Sequence, residues 1–173
     1  MTEVHAASRL PPGLRPAHPV VLVTTWFGSG LLPKAPGTWG SLAALPFAVL
    51  IHHLWGSAGL VVAATLAFFA GWMASNAFLE ANRSAGIANN DPKVIVIDEV
   101  AGQWLTLAAV PLDALLYAFG FLLFRIFDVV KPWPAGLIDK HVKSGLGVML
   151  DDVAAALYAA GCLLLYRHFV EGS

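Results

Sequence analysis

The sequence predicts an all-α fold: a compact, multi-helical, membrane-embedded bundle built from short helical hairpins, with a polar site on its cytoplasmic face. Three observations carry this expectation. Of 173 residues 58% are hydrophobic and only 12% are charged, and the mean hydropathy of +0.71 lies above the range of ordinary globular chains. From Ser41 to Leu79 there is no Asp, Glu, Lys or Arg. The long apolar stretches are each broken once by turn-forming residues, which folds them into hairpins.

In chain order, residues 1–20 carry Arg9, Arg15 and four prolines without the apolar core of a signal peptide, and read as a flexible tail ahead of a single domain over 21–170. A short apolar piece, Val20 to Phe27, precedes the stretch GSGLLPKAPGTWGS from Gly28 to Ser41. Its four glycines and two prolines predict a loop rather than a regular helix. Such a loop can turn backbone N–H groups toward an anion, with Ser41 capping the next helix and Lys34 adding a mobile charge. It is equally the composition of a surface connector.

The uncharged run from Ser41 divides at Gly56, Ser57 and Gly59 into Leu42 to Trp55 and Ser57 to Leu79. The second reaches the ~20 residues of a bilayer crossing; the first is shorter. His52 and His53 fall near the hairpin tip and read as polar tip residues, because no second spaced His or Cys accompanies them. The polar link from Glu80 to Val96 leads into Val100 to Phe124, interrupted at Pro111-Leu112-Asp113. Asp113 reads as a solvated turn acid. Arg125, Asp128 and Lys131 recur at i, i+3 and i+6 along one side of a helix that Pro132 and Pro134 end, a spacing that also suits a plain salt-bridge ladder. Asp151 and Asp152 open the last apolar segment, from Val153 to about Tyr166, where a helix dipole would favour acids.

If both apolar stretches are hairpins, the 28–41 loop, the 80–99 link and the 124–152 segment all emerge on one side. Lys34, Arg83, Lys93, Arg125, Lys131, Lys140 and Lys143 share that side and leave Arg167 near the far end, so the positive-inside rule makes it cytoplasmic. Six Trp can serve as interface anchors. A formal net charge of −1 supplies no basic field for nucleic acid. The single cysteine, Cys162, excludes an internal disulfide and a multi-cysteine zinc site and reads as packing; it lies five residues before Arg167, where a Cys-x5-Arg loop needs six.

Within the link, NDPKVIVIDEVAGQ runs straight from charge into apolar sequence. Carboxylates placed there must be paired, metal-bound or kept at a wet boundary. Asp98 and Glu99 read as half of a divalent-metal site completed by Asp128, Asp151 and Asp152. An all-oxygen ligand set suits Mg²⁺, a hard ion that commonly bridges carboxylates to a substrate phosphate. Lys34, Lys93, Arg125, Lys131 and the glycine stretch can hold phosphate oxygens. Buried carboxylates also occur in small cation or proton transporters, but these place acids near the middle of long spans. The shorter apolar segments leave a soluble helical phosphohydrolase as a further reading.

Four blocks, LLPKAPGTWGSLAALP, IVIDEVAGQWLTL, FRIFDVVKPWP and GLGVMLDDVAAAL, in this order and at these spacings, resemble the phosphatidylglycerophosphatase A family from about Leu22 to Leu165. The resemblance implies an all-helical, Mg²⁺-dependent lipid phosphatase of the bacterial inner membrane that converts phosphatidylglycerophosphate to phosphatidylglycerol. The matching positions are Pro36, Gly37, Thr38, Gly40, Ser41, Asp91, Asp98, Glu99, Gly102, Arg125, Asp128, Lys131, Pro132, Asp151 and Asp152; Ser144 and Ala156 stand where the family pattern has glycine. With the resemblance added, Asp98, Glu99, Asp128 and Asp152 are expected as metal ligands or water-orienting bases and Asp151 as a further ligand. Lys34, Gly37, Thr38, Gly40, Ser41, Arg125 and Lys131 are expected around the substrate phosphate. Asn76, Asn82, Asn89, Asn90 and Gln103 are available to read the glycerol hydroxyl. The DxDxT pattern of phosphatases that form a phospho-aspartate is absent.

Overall fold

The computed structural model describes residues 10–87 and 92–170. Among these, all regular structure is helical: α1 (Pro19–Thr24), a 3₁₀ turn (Ser29–Leu31), α2 (Pro36–Ser84), α3 (Ile97–Leu107), α4 (Ala114–Val130), α5 (Ala135–His141) and α6 (Gly145–Val170). Residues 1–9 of the expected tail lie outside the described residues. Leu10 is buried in the core and Leu14 packs against it, so the remainder of that stretch is docked on the bundle.

The hairpin expected within the uncharged run is present. Gly56 has φ 64° and ψ −165° and divides α2 into legs over 36–55 and 57–84; side chains with a Cβ essentially never adopt that conformation. The outgoing leg accepts a hydrogen bond at Ala44 O from Trp104 Nε1 of α3 (3.0 Å). The returning leg accepts one at Asn76 Oδ1 from Gly145 N of α6 (2.9 Å). Nothing lies within 4 Å of a Cβ built at Gly56, so Gly56→Ala tests the backbone alone. It is expected to lower stability by about 1–3 kcal/mol in thermal unfolding in detergent; an unchanged melting temperature would show that leg packing sets the bend.

The second hairpin is also present. Asp113 caps α4, its Oδ1 accepting from Leu115 N and Leu116 N, both at 2.9 Å, which satisfies two of the orphan donors of a helix start. The paired tips meet at the far end, where His52 Nδ1 and Tyr117 Oη lie 2.7 Å apart. Lys131 ends α4 in the left-handed region, ahead of Pro132 and Pro134.

Two segment boundaries differ from expectation. Gly37 to Ser41 form the opening turns of α2 rather than a loop, so Ser41 lies inside the helix instead of capping it. The stretch from Gly145 is helical as well, so Asp151 and Asp152 sit almost two turns inside α6, away from its dipole. In both places glycine costs roughly 1 kcal/mol of helix propensity, and close packing overrides that cost. A Cβ at Gly145 would lie 2.7 Å from Asn76 N, and one at Gly40 2.7 Å from Val96 Cβ.

Phe78, Phe124, Leu60, Ile97, Leu107, Met149 and Leu163 fill the centre. Elsewhere large apolar side chains face outward, including Leu66, Met73, Val129 and Phe169, a surface suited to lipid rather than water. Two helices, α2 and α6, are long and apolar enough to cross a membrane.

Candidate active site

The starts of α2 and α3, the end of α4 and the second turn of α6 meet at one end of the bundle, opposite the hairpin tips. They enclose a cavity of about 460 Å³. Asp98 and Glu99 occupy the first turn of α3. Gly102, one turn further on, lets that helix approach its neighbours: a Cβ there would lie 2.6 Å from Phe124 Cε2 and 3.1 Å from Asp152 O. The approach brings Asp98, Glu99 and Asp152 together, with one carboxylate oxygen from each lying within 4.8 Å of the others. Asp128, in the last turn of α4, comes within hydrogen-bonding reach of Asp152.

Cations tie the rim of this cluster. Arg125 Nη1 lies 2.6 Å from Asp128 Oδ2 and 3.7 Å from Glu99 Oε1, and donates to Ser41 Oγ at 3.4 Å. Lys131 Nζ lies 2.6 Å from Asp151 Oδ2 and 3.0 Å from Asp139 Oδ1. Asp98 Oδ1, Glu99 Oε2, Asp151 Oδ1 and Asp152 Oδ2 are buried without a hydrogen-bond partner. Unsatisfied buried carboxylate oxygens are costly, and four of them converging on one cavity mark a place for a positive ligand.

The titration of the groups outside α2 and α6 reflects this crowding. Burial pushes the Asp98 carboxyl well above the usual carboxylate range, and the charges of Glu99, Asp152 and Asp151 add to the effect. Burial likewise pushes Glu99 up to about 7, with repulsion from Asp128 adding and the Arg125 guanidinium opposing. Lys131 is pulled down by burial, but its bonds to Asp151 and Asp139 more than offset this and hold it protonated. A cation entering among these acids therefore displaces protons as it binds.

The donor set fits a hard divalent ion: oxygen only, buried, unpartnered and convergent. Asp98, Glu99 and Asp152 supply the converging atoms. Asp128 is adjacent but engaged by Arg125, and Asp151 has one oxygen engaged by Lys131.

Of the residues expected around phosphate, Gly37, Arg125 and Lys131 line the cavity. Lys34 is exposed and, with Thr38, stands off its wall among the described residues. Gly40 is a spacer against Val96. Ser41 is buried, donates to Gly37 O at 3.0 Å and reaches the site through Arg125. Gly37 lies so close to Glu99 that a Cβ would fall 2.0 Å from its Oε1. Asn76 bonds α6, Asn82 is buried, and Asn89, Asn90 and Asp91 lie outside the described residues. Gln103 is fully buried with both amide atoms unpartnered and stands off the cavity wall.

Asp139 was not singled out by sequence reasoning, although it lies on the cavity wall and pairs with Lys131. Its available signal was membership of the same FRIFDVVKPWPAGLIDK segment; only the turn of the chain through Pro132 and Pro134 brings it back to Lys131.

The sequence model of phosphatidylglycerophosphatase A matches residues 22–167. The chain is 39% identical over 157 residues to phosphatidylglycerophosphatase A of Escherichia coli (strain K12), covering 90% of this chain and 87% of that protein. It is 38% identical over 143 residues to phosphatidylglycerophosphatase A of Haemophilus influenzae, covering 82% and 85%. A Bacteroides thetaiotaomicron protein provisionally named phosphatidylinositol-3-phosphatase is 42% identical over 158 residues, covering 84% and 91%. No solved structure matches the chain. With a family match over residues 22–167 that takes in nearly all of the helical bundle and every cavity acid, the chain belongs to the phosphatidylglycerophosphatase A family.

Proposed function

We propose that this protein is a Mg²⁺-dependent lipid phosphatase that hydrolyses phosphatidylglycerophosphate to phosphatidylglycerol and inorganic phosphate at the cytoplasmic face of a bacterial inner membrane. Family membership supports the reaction class. The single structural observation that carries the reading is the convergence of Asp98, Glu99 and Asp152 in a cavity also lined by Arg125 and Lys131, at one end of an apolar bundle.

Asp98, Glu99 and Asp152 would hold the cation, and Asp128 and the open oxygen of Asp151 stand beside it. Bound there, Mg²⁺ supplies charge neutralisation for the phosphoryl oxygens and acidifies water at neutral pH. Arg125 is placed to meet the phosphate: its described contacts all run through Nη1, while a guanidinium carries five N–H donors. Its charge also keeps Asp128 and Glu99 from repelling the incoming anion. Lys131 neutralises Asp151 and Asp139 and so limits the negative charge that a phosphate meets. Buried carboxylates around the reacting centre are available to accept the proton of the attacking water.

Location supports the same reading. The apolar exterior of α2 and α6 suits the bilayer, and a cavity at the bundle end lies where a lipid headgroup meets water. Arg83 joins Lys143 at the site end, donating to its carbonyl at 3.5 Å, whereas Arg167 reaches Ala109 O at the opposite end. That asymmetry supports a cytoplasmic site through the positive-inside rule. Among the described residues the buried acids gather at this one end, and Asp113 at the far end is a helix cap, so no line of acids runs through the bundle as a cation or proton transporter would need.

The test is phosphate release from phosphatidylglycerophosphate by purified protein in detergent, with Mg²⁺ and with EDTA. Release that stops on chelation and returns with Mg²⁺ is expected. A well-folded protein that releases nothing from this lipid would overturn the assignment, and release indifferent to EDTA would overturn the cofactor.

A further inference from the structure

The cavity is larger than a single phosphate needs, and its cations fall into two groups. Arg125 and Lys131 are locked to carboxylates. Lys93 and Lys143 also line the wall, are exposed, and have no carboxylate partner among the described residues; the ammonium of Lys143 donates to a neutral acceptor, Asp139 O, at 2.5 Å. We propose that Lys93 and Lys143 form a second anion subsite that holds the non-reacting phosphodiester of the lipid headgroup while the terminal monoester lies at the acid cluster. This assignment rests on the function proposed above.

Spacing supports it. Gly147 lies one turn before Asp151 on α6, about 6 Å along the axis at 1.5 Å per residue. A Cβ at Gly147 would collide with Val142 O, so the chain just before α6 crosses at that level and sets Lys143 beside it. The two phosphorus atoms of the proposed substrate are joined by six bonds through glycerol, a reach of roughly 7 Å when extended, at the three-bond spacing of an extended chain. With the monoester at the acids, the diester therefore reaches the level of Lys143.

Charge supports it too. Six acids line the cavity: Asp98, Glu99, Asp128, Asp139, Asp151 and Asp152. A diester held nearby without its own cations would be repelled by them. Lys93 and Lys143 are the cavity cations left over once the ion pairs are assigned. Val142, on the wall beside Lys143, is partly exposed at the rim and offers an apolar edge over which the diacylglycerol can leave toward the bilayer.

The experiment compares the parent, K93Q/K143Q and K93R/K143R in mixed micelles containing phosphatidylglycerophosphate and Mg²⁺. The Gln pair is expected to raise the apparent KM at least tenfold with kcat within threefold, because it weakens binding common to ground and transition states. The Arg pair restores KM to within threefold. Both lysines are exposed, and thermal unfolding in the same detergent checks that the variants fold; K93Q and K143Q singly, each expected at threefold or more in KM, serve if the pair does not. An unchanged KM, a loss confined to kcat, or an Arg pair as impaired as the Gln pair overturns the subsite. A parent that releases no phosphate from this lipid removes the proposed function and the subsite with it, whereas an active parent with unmoved KM removes the subsite alone.

Discussion

Asp152→Asn is expected to reduce phosphate release by at least roughly 10³-fold, the equivalent of about 4 kcal/mol of transition-state stabilisation, while leaving the metal-free protein as stable as the parent. Asp152 is buried almost two turns inside α6, with Asp98, Glu99 and Asp128 around it and its Oδ2 unpartnered. An amide of the same shape keeps the packing and removes one acid from a crowded group of acids, so folding without cation loses nothing. What it loses is one of the three converging ligands. Adding Mg²⁺ should therefore raise the melting temperature of the parent, since an ion that binds only the folded state stabilises it by mass action, and should raise that of the variant much less. Activity assays and thermal unfolding in EDTA and in Mg²⁺ check both halves. A variant that melts well below the parent in EDTA would mean that the carboxylate is a structural partner, and one that retains activity would remove Asp152 from the site.

The two halves of this prediction separate what the sequence makes legible from what it hides. Hairpin pairing and the gathering of polar segments at one end follow from a charge-free run with a single glycine break, and from a turn at Pro111 to Asp113. Both signals are local and strong, because a chain with so little charge has few ways to bury its backbone. The acids are legible for the same reason: Asp98, Glu99, Asp128 and Asp152 stand against apolar neighbours that leave them no solvent. Less legible is where helices start. Gly37 to Ser41 read as a loop by composition and the stretch from Gly145 as lying ahead of the last helix, yet both are helical. The Glu99 and Val96 side chains are packed where a Cβ would be at Gly37 and Gly40, and the backbone of Asn76 and Val142 is so packed at Gly145 and Gly147. That misplacement moved the expected phosphate contacts of Thr38, Gly40 and Ser41 away from the cavity wall, and gave Asp151 and Asp152 a dipole they do not have. Asp139 was hidden differently, since its partner Lys131 is reached only after the chain turns at two prolines.

The same glycines give the sharpest test of the site's geometry, through two alanines three residues apart with opposite outcomes. At Gly37 a Cβ would fall 2.0 Å from Glu99 Oε1 and 3.2 Å from Arg125 Nη1, the ends of two side chains that can swing aside. The fold can absorb this change, and alanine in a helix gains up to roughly 1 kcal/mol over glycine. Catalysis cannot, because Glu99 leaves the convergence with Asp98 and Asp152, and a displacement near 1 Å in a reacting constellation costs about 10²-fold in rate. At Gly40 the Cβ would instead press on Val96, 2.7 Å from its Cβ and 3.3 Å from its carbonyl oxygen, in the buried segment that leads into α3. That strain falls on a β-branched side chain at a Cβ fixed by the buried backbone, which cannot swing aside, and overpacking of this kind costs about 1–3 kcal/mol of stability. Gly37→Ala should therefore melt like the parent and turn over about a hundredfold more slowly, and Gly40→Ala should melt lower while the folded fraction keeps most of its activity. Melting curves and kcat measured on the same two preparations decide it. If both variants lose stability and activity together, Gly37 is only another packing spacer, and the placement of Glu99 at the reacting centre loses its geometric support.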